Sequence, residues 1–303
     1  MGLAARRDVA ATIGTYRVVK SLGVGFHGPV FLGVPSGTNV RVAVKQLRAS
    51  PTPVKAELEG LLATARRTCE LKHPNIVPVY EVGEEFGLPF VVYEYAEAAT
   101  LKTLVRKGGA LLTSDALSIA QQVLDALAAA HDAGIWHGDI TANNVVLPDD
   151  RTPRITDFGI AGLVPWRSVR DTVPNARLVY VAPECLQDGT PGVASDVYAV
   201  GALLHEMLSG APPFGAPGEK ITVARIVHEV AAPLSKRVPG TDPKLETLVQ
   251  RALSKNPDDR FADAAEMKEA LEAATGLKPR SSRAPQSAAS SLLRKFKGLF
   301  RRT

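Results

Sequence analysis

The stretch His137–Gly138–Asp139–Ile140–Thr141–Ala142–Asn143–Asn144, followed by Asp157–Phe158–Gly159, decides the fold. An acid, an amide five positions on and a second acid before Phe–Gly form a layout for a hard divalent cation and a transferring phosphoryl group. Asp139 is suited to orient an attacking hydroxyl. Asn144 and Asp157 offer oxygen ligands to Mg²⁺.

Working outward, Gly23–Val24–Gly25–Phe26–His27–Gly28–Pro29–Val30 and Val42–Ala43–Val44–Lys45 lie upstream, and Ala182–Pro183–Glu184 lies downstream. A glycine trio lets backbone amides approach phosphates without Cβ obstruction, although alone it is equally a hairpin turn. A dinucleotide site would need the trio to open a helix, and here a strand follows. Together the motifs stand in the order of the protein-kinase signature set. The chain resembles a eukaryotic-like Ser/Thr protein kinase of the kind also found in bacteria.

Periodicity agrees with two lobes. Tyr16–Val24 and Val30–Val34 flank the glycine turn, Val40–Leu47 alternates as a half-buried strand, and Ile76–Val82 and Leu88–Tyr95 complete an antiparallel sheet. Lys55–Leu71 predicts one helix, stopped before Pro74. Beyond Thr100 the pattern predicts helices over Thr113–Ala133, Ser195–Ser209, Glu219–Val230, Pro243–Ser254 and Ala262–Ala274. The expected architecture is α+β and bilobal: a small antiparallel sheet lobe with one helix, a larger helical lobe and an ATP cleft between them. The expected division is an N-terminal extension over 1–15 and a kinase domain over 16–275, its lobes meeting between residues 96 and 97. A linker over 276–288 and a basic tail over 289–303 follow.

The resemblance implies ATP and Mg²⁺ as cofactors and protein Ser/Thr hydroxyls as substrates. It implies that Lys45 holds the α- and β-phosphates, that Asp139 is the catalytic aspartate and that Asn144 and Asp157 bind metal. The hinge is Phe90–Ala96, with Tyr93 as gatekeeper, backbone groups of Glu94 and Ala96 on the adenine and Glu97 at the ribose. Leu22, Val30, Ala43 and Val146 form the apolar sandwich, and Gly23, Val24, Gly25 and Gly28 cover the phosphates. Glu184 and Arg260 are expected to pair, and Asp196 to cap the catalytic loop.

Four departures stand out. The helix acid that should fix Lys45 is displaced: Glu57, preferred for sharing a face with position 64 and for Leu61 four residues on, competes with Glu59. Thr141 stands where the family has lysine, and Arg177 where it has threonine. A cation has then either moved across the cleft, making Arg177 a third catalytic residue, or both positions have drifted. Gly138 replaces the arginine that receives an activation-loop phosphate, so Ser168 and Thr172 lose their docking cation. A pseudokinase acting as a nucleotide-binding or scaffolding module is the competing reading.

The 303 residues are 45% apolar with a net charge of +5. Eight of the basic residues lie after Gly276, which leaves the rest with 28 basic against 31 acidic residues. Nucleic acid is therefore not an expected partner of the folded part. With no run approaching roughly 18 apolar residues and no leader, the expected location is cytoplasmic. Within Leu292–Arg302 five apolar residues oppose five basic ones. That pattern fits peripheral binding to an anionic membrane on its inner face, a partner's groove or the chain's own surface, or a solvated tail.

Overall fold

The computed structural model describes residues 11–48, 55–160, 173–187, 189–214 and 221–278, the side chains of 55–58 and 175–176 excepted. The basic tail, Ser168, Thr172 and the side chain of Glu57 lie outside the described residues.

Six strands form the first lobe: β1 (Thr12–Ile13), β2 (Tyr16–Gly25), β3 (Gly28–Pro35), β4 (Val42–Gln46), β5 (Val79–Glu85) and β6 (Leu88–Glu94). They form one antiparallel sheet in the order β1-β2-β3-β4-β6-β5. The two-residue alternation of β4 sets its chemistry. Val42 and Val44 pack with Ile13, Tyr16, Phe90 and Val92 in an outer core. Ala43 and Lys45 therefore face the other way, and Lys45 is paired in register with Val30 and Val91. Helix α1 (Lys55–Arg66) ends earlier than its composition predicts, continuing as a 3₁₀ turn over Arg67–Glu70.

The second lobe begins with β7 (Ala99–Thr100) and α2 (Leu101–Gly108), whose first turn is capped by the Thr100 hydroxyl accepting from Thr103 N–H. Helix α3 (Thr113–Asp132) buries Leu117, Val123, Leu124 and Leu127, each worth about 1.5–3 kcal/mol when removed from water. Strands β8 (Val145–Leu147) and β9 (Arg154–Ile155) join β7 in a small second sheet. That sheet was not predicted, because two- and three-residue strands carry no readable period.

Further helices are α4 (Asn175–Leu178), α5 (Pro183–Gln187), α6 (Val193–Ser209), α7 (Val223–His228), α8 (Pro243–Ala252) and α9 (Ala264–Thr275). Asp242 and Asp263 cap α8 and α9 through side-chain oxygens, and Gly210 and Gly276 close α6 and α9 in left-handed conformations. Helix α6 is buried along nearly its whole length and packs against α3 and α8. A continuous core runs from Leu62, Val79 and Val91 of the sheet lobe to Leu203, Leu248 and Leu271 below.

Candidate active site

Two loops emerge from this core into the cleft. The first, residues 137–144, is fastened from beneath: Asp196 near the start of α6 accepts from the backbone N–H groups of His137 and Gly138, both at 2.8 Å. Gly138 has φ +72°, a left-handed conformation in which any side chain would be strained. His137 is fully buried. Its Nε2–H donates to Thr156 O at 2.8 Å and its Nδ1 accepts from Asp139 N–H at 3.1 Å. One neutral tautomer satisfies both bonds, and burial holds the imidazole pKa below its ordinary value. The histidine thus ties the first loop to the second.

The second loop carries Asp157 with φ +70°, a left-handed conformation costing a non-glycine residue about 1–2 kcal/mol. It is held by Phe158, which is buried edge-on against His137 at 4.7 Å between ring centroids and accepts from Tyr93 Oη at 3.3 Å. The effect is to aim the Asp157 carboxylate at Lys45, whose Nζ lies 2.5 Å from Oδ2.

Lys45, Asp139, Asn144 and Asp157 are all buried around one cleft. Asn144 donates through Nδ2 to the carbonyl oxygen of Asp139 at 2.8 Å and to its Oδ2 at 3.1 Å. Its amide nitrogen being so committed, the Asn144 carbonyl oxygen is the atom open to a cation. No group of three His, Cys, Asp or Glu stands together among the described residues. The donors that Asn144 and Asp157 offer are hard oxygens, of the kind a hard divalent cation would take.

Arg177, at the end of α4, reaches into the same cleft and forms an ion pair with Asp139 Oδ2. Its guanidinium lies over the Phe26 ring at 4.7 Å, and burial pushes its pKa down to about 10. Thr141, by contrast, is buried and accepts from Asn143 N–H at 3.3 Å. The cation at Asp139 is therefore Arg177. Of the two helix acids, exposed Glu59 turns to Arg66 at 3.9 Å, the side chain of Glu57 lies outside the described residues, and the carboxylate on Lys45 among the described residues is Asp157.

Gly28 is required between β2 and β3, because a Cβ there would lie 2.0 Å from Gln46 O. Gly23, Val24 and Gly25 end β2, paired with Val30, Pro29 and Gly28 of β3, and Leu22, Val30, Ala43 and Val146 are exposed or half-buried. At the hinge, Ala96 and Glu97 are exposed. The Glu94 carboxylate is engaged by Arg154 and Tyr80, each at 3.2 Å.

Sequence reasoning missed His27. It is buried at the glycine-loop tip, with Nε2 at 3.1 Å from both Asp139 Oδ2 and Arg177 Nη2. Burial, with Arg177 and Lys45 nearby, pushes its pKa down to about 3, so the ring is neutral. The available signal was a titratable side chain between Gly25 and Gly28.

Lower down, Arg260 makes a two-point ion pair with Glu184, at 2.8 and 2.7 Å, as expected. Lys102 donates to Glu206 at 2.7 Å, and Glu206 accepts from Tyr180 Oη, holding the segment after α4.

A cleft of this kind between a sheet lobe and a helical lobe defines the protein-kinase class, and comparison with known proteins agrees. The family model described as protein kinase domain matches residues 16–273, and the chain belongs to that family. Among curated relatives, serine/threonine-protein kinase PknB of Mycolicibacterium smegmatis is 32% identical over 265 residues, covering 84% of this chain and 42% of the relative. Serine/threonine-protein kinase PrkC of Bacillus subtilis is 32% identical over 257 residues, covering 84% and 39%. The chain thus spans about two fifths of the length of these relatives. The solved kinase domain of Mycobacterium tuberculosis PknI superposes with a TM-score of 0.69 at 25% identity, covering 90% of this chain and 100% of that one.

Proposed function

We propose that this chain is a protein kinase that uses ATP and Mg²⁺ to phosphorylate serine or threonine hydroxyls of proteins. The observation that carries the reading is the convergence of Lys45, Asp139, Asn144 and Asp157, from three separate segments, around one buried cleft. In the reaction a hydroxyl oxygen forms a bond to the terminal phosphorus while the bridging bond to the diphosphate breaks.

Lys45 supplies a point charge to the α- and β-phosphates. The metal, held by Asn144 and Asp157, would neutralise charge developing on the phosphates. Contacts from Asn144, His27 and Arg177 all fall on Asp139 Oδ2, so Oδ1 is the oxygen that receives the substrate hydroxyl and finally its proton. Glu94 and Ala96 offer backbone groups to adenine, Glu97 serves the ribose, and Glu57 remains the helix acid proposed for Lys45. Transfer of labelled phosphate from ATP to a protein acceptor, followed by mapping of the modified residues, tests the assignment. Absence of Mg²⁺-dependent transfer would overturn it.

Arg177 is the cation for the transferring phosphate, taking the place that Thr141 cannot fill. Arg177→Thr should therefore depress kcat by about tenfold or more, and adding Thr141→Lys should restore much of it. Purely additive effects of the two substitutions would show that the positions act independently.

The segment Leu292–Arg302, joined through the linker 276–288, binds anionic membrane at its surface, each near-surface basic residue contributing about 1 kcal/mol. No helix among the described residues is long and apolar enough to cross a membrane. The chain should sediment with vesicles containing anionic lipid, be released by high salt, and lose this on deletion of 289–303. Higher turnover after deletion, with no vesicle binding by either form, would make the tail an inhibitor docked on its own kinase domain.

A further inference from the structure

We propose that His27 is a specificity-determining residue that contacts the terminal phosphate of the nucleotide and distinguishes triphosphate from diphosphate. The inference rests on the kinase reading above and adds a residue to it. His27 stands at the tip of the turn between β2 and β3, the glycine-rich turn that would cover the phosphates, and is buried rather than solvated. Its ring is braced edge-on by Phe26 at 5.0 Å, and Phe26 is itself covered by Arg177. Loop tip, cation and ring therefore form one unit above Asp139.

The hydrogen bonding of the ring points to an anion. Nε2 lies 3.1 Å from a carboxylate oxygen and 3.1 Å from a guanidinium nitrogen, and a single ring nitrogen serves only one of them at a time. As N–H it donates to Asp139, and as a lone pair it accepts from Arg177. Nδ1 is buried with no partner among the described residues. The ring thus holds more hydrogen-bonding capacity than its protein neighbours use, in a place where an oxyanion would satisfy it.

Topology says which oxyanion. The phosphoryl group in transfer must stand between the loop that covers the nucleotide and the hydroxyl oriented by Asp139. In this structure the His27 ring closes that gap by reaching the Asp139 carboxylate from the loop side, and a bound terminal phosphate would take the place of that contact. A diphosphate ends one group short of it. The His27 contact accordingly belongs to the third phosphate alone.

The test is calorimetric binding of Mg·ADP and of a non-hydrolysable Mg·ATP analogue to the full chain, for wild type, His27→Phe and His27→Gln. His27→Phe should weaken binding of the triphosphate analogue about tenfold while changing ADP affinity by less than about twofold. His27→Gln, which keeps an N–H donor, should fall between, and its ADP affinity reports on folding. An equal change for both nucleotides would overturn the proposal, and an equal gain would identify the contact with Asp139 as a latch that competes with nucleotide. Unchanged affinities would also overturn it. Failure of the wild-type chain to bind either nucleotide would overturn the kinase reading itself.

Discussion

Asp139→Asn should lower phosphoryl transfer by about 10²–10⁴-fold, the range that a positioned acid–base group supplies, while nucleotide affinity changes little. The expectation follows from where the carboxylate stands. Asp139 touches Asn144, His27 and Arg177 but not Lys45, whose carboxylate partner is Asp157. Removing its charge disturbs the hydroxyl site and leaves the phosphate contacts of Lys45 in place. Asp157→Asn should act differently, weakening Mg·ATP binding itself, because that side chain lies on the phosphate side and is a proposed metal ligand. Parallel calorimetry and single-turnover transfer separate the two. Equal transfer by wild type and both variants would dismiss the catalytic assignment.

Arg260→Ala should destabilise the protein by about 3 kcal/mol, the lower part of the range for breaking a buried ion pair, because the Glu184 side chain is 24% exposed and recovers some hydration. Arg260 is fully buried at its side chain and serves more than its acid. Its guanidinium also donates to the carbonyl oxygens of Ser254, Ala194 and Lys255, at 2.8, 2.9 and 3.1 Å. It thereby joins α5, the start of α6 and the turn after α8. Arg260→Lys should rescue little, since an ammonium cannot reproduce a planar five-donor fork. Thermal unfolding should shift by roughly 10 °C, and a shift below about 2 °C would contradict the structural role.

Legibility of the chain divides along physical lines. Fold class and lobe order were readable because long elements carry a pattern: β4 alternates, α3 and α9 carry apolar stripes, α6 is mostly apolar throughout, and each helix has a clear stop. The four cleft residues were readable because their chemistry demands particular residue types at particular spacings. The Glu184–Arg260 pair and the Asp196 cap were named from family resemblance, and geometry bears out both.

Sequence by itself determined the lobes, the residue types that line the cleft and the departures at Thr141, Arg177 and Gly138. Tertiary structure alone decided which groups meet across the cleft. Lys45 takes Asp157 rather than Glu59, because the strained backbone at Asp157 aims its carboxylate inward while Glu59 lies on the solvent face of α1. Arg177, His27 and Asp139 come from segments far apart in the chain, and no spacing rule connects them. Local sequence sets the period and the breaks of each element. The joining of side chains from a loop tip, a short helix and a catalytic loop depends on how the lobes pack, which only the folded core specifies.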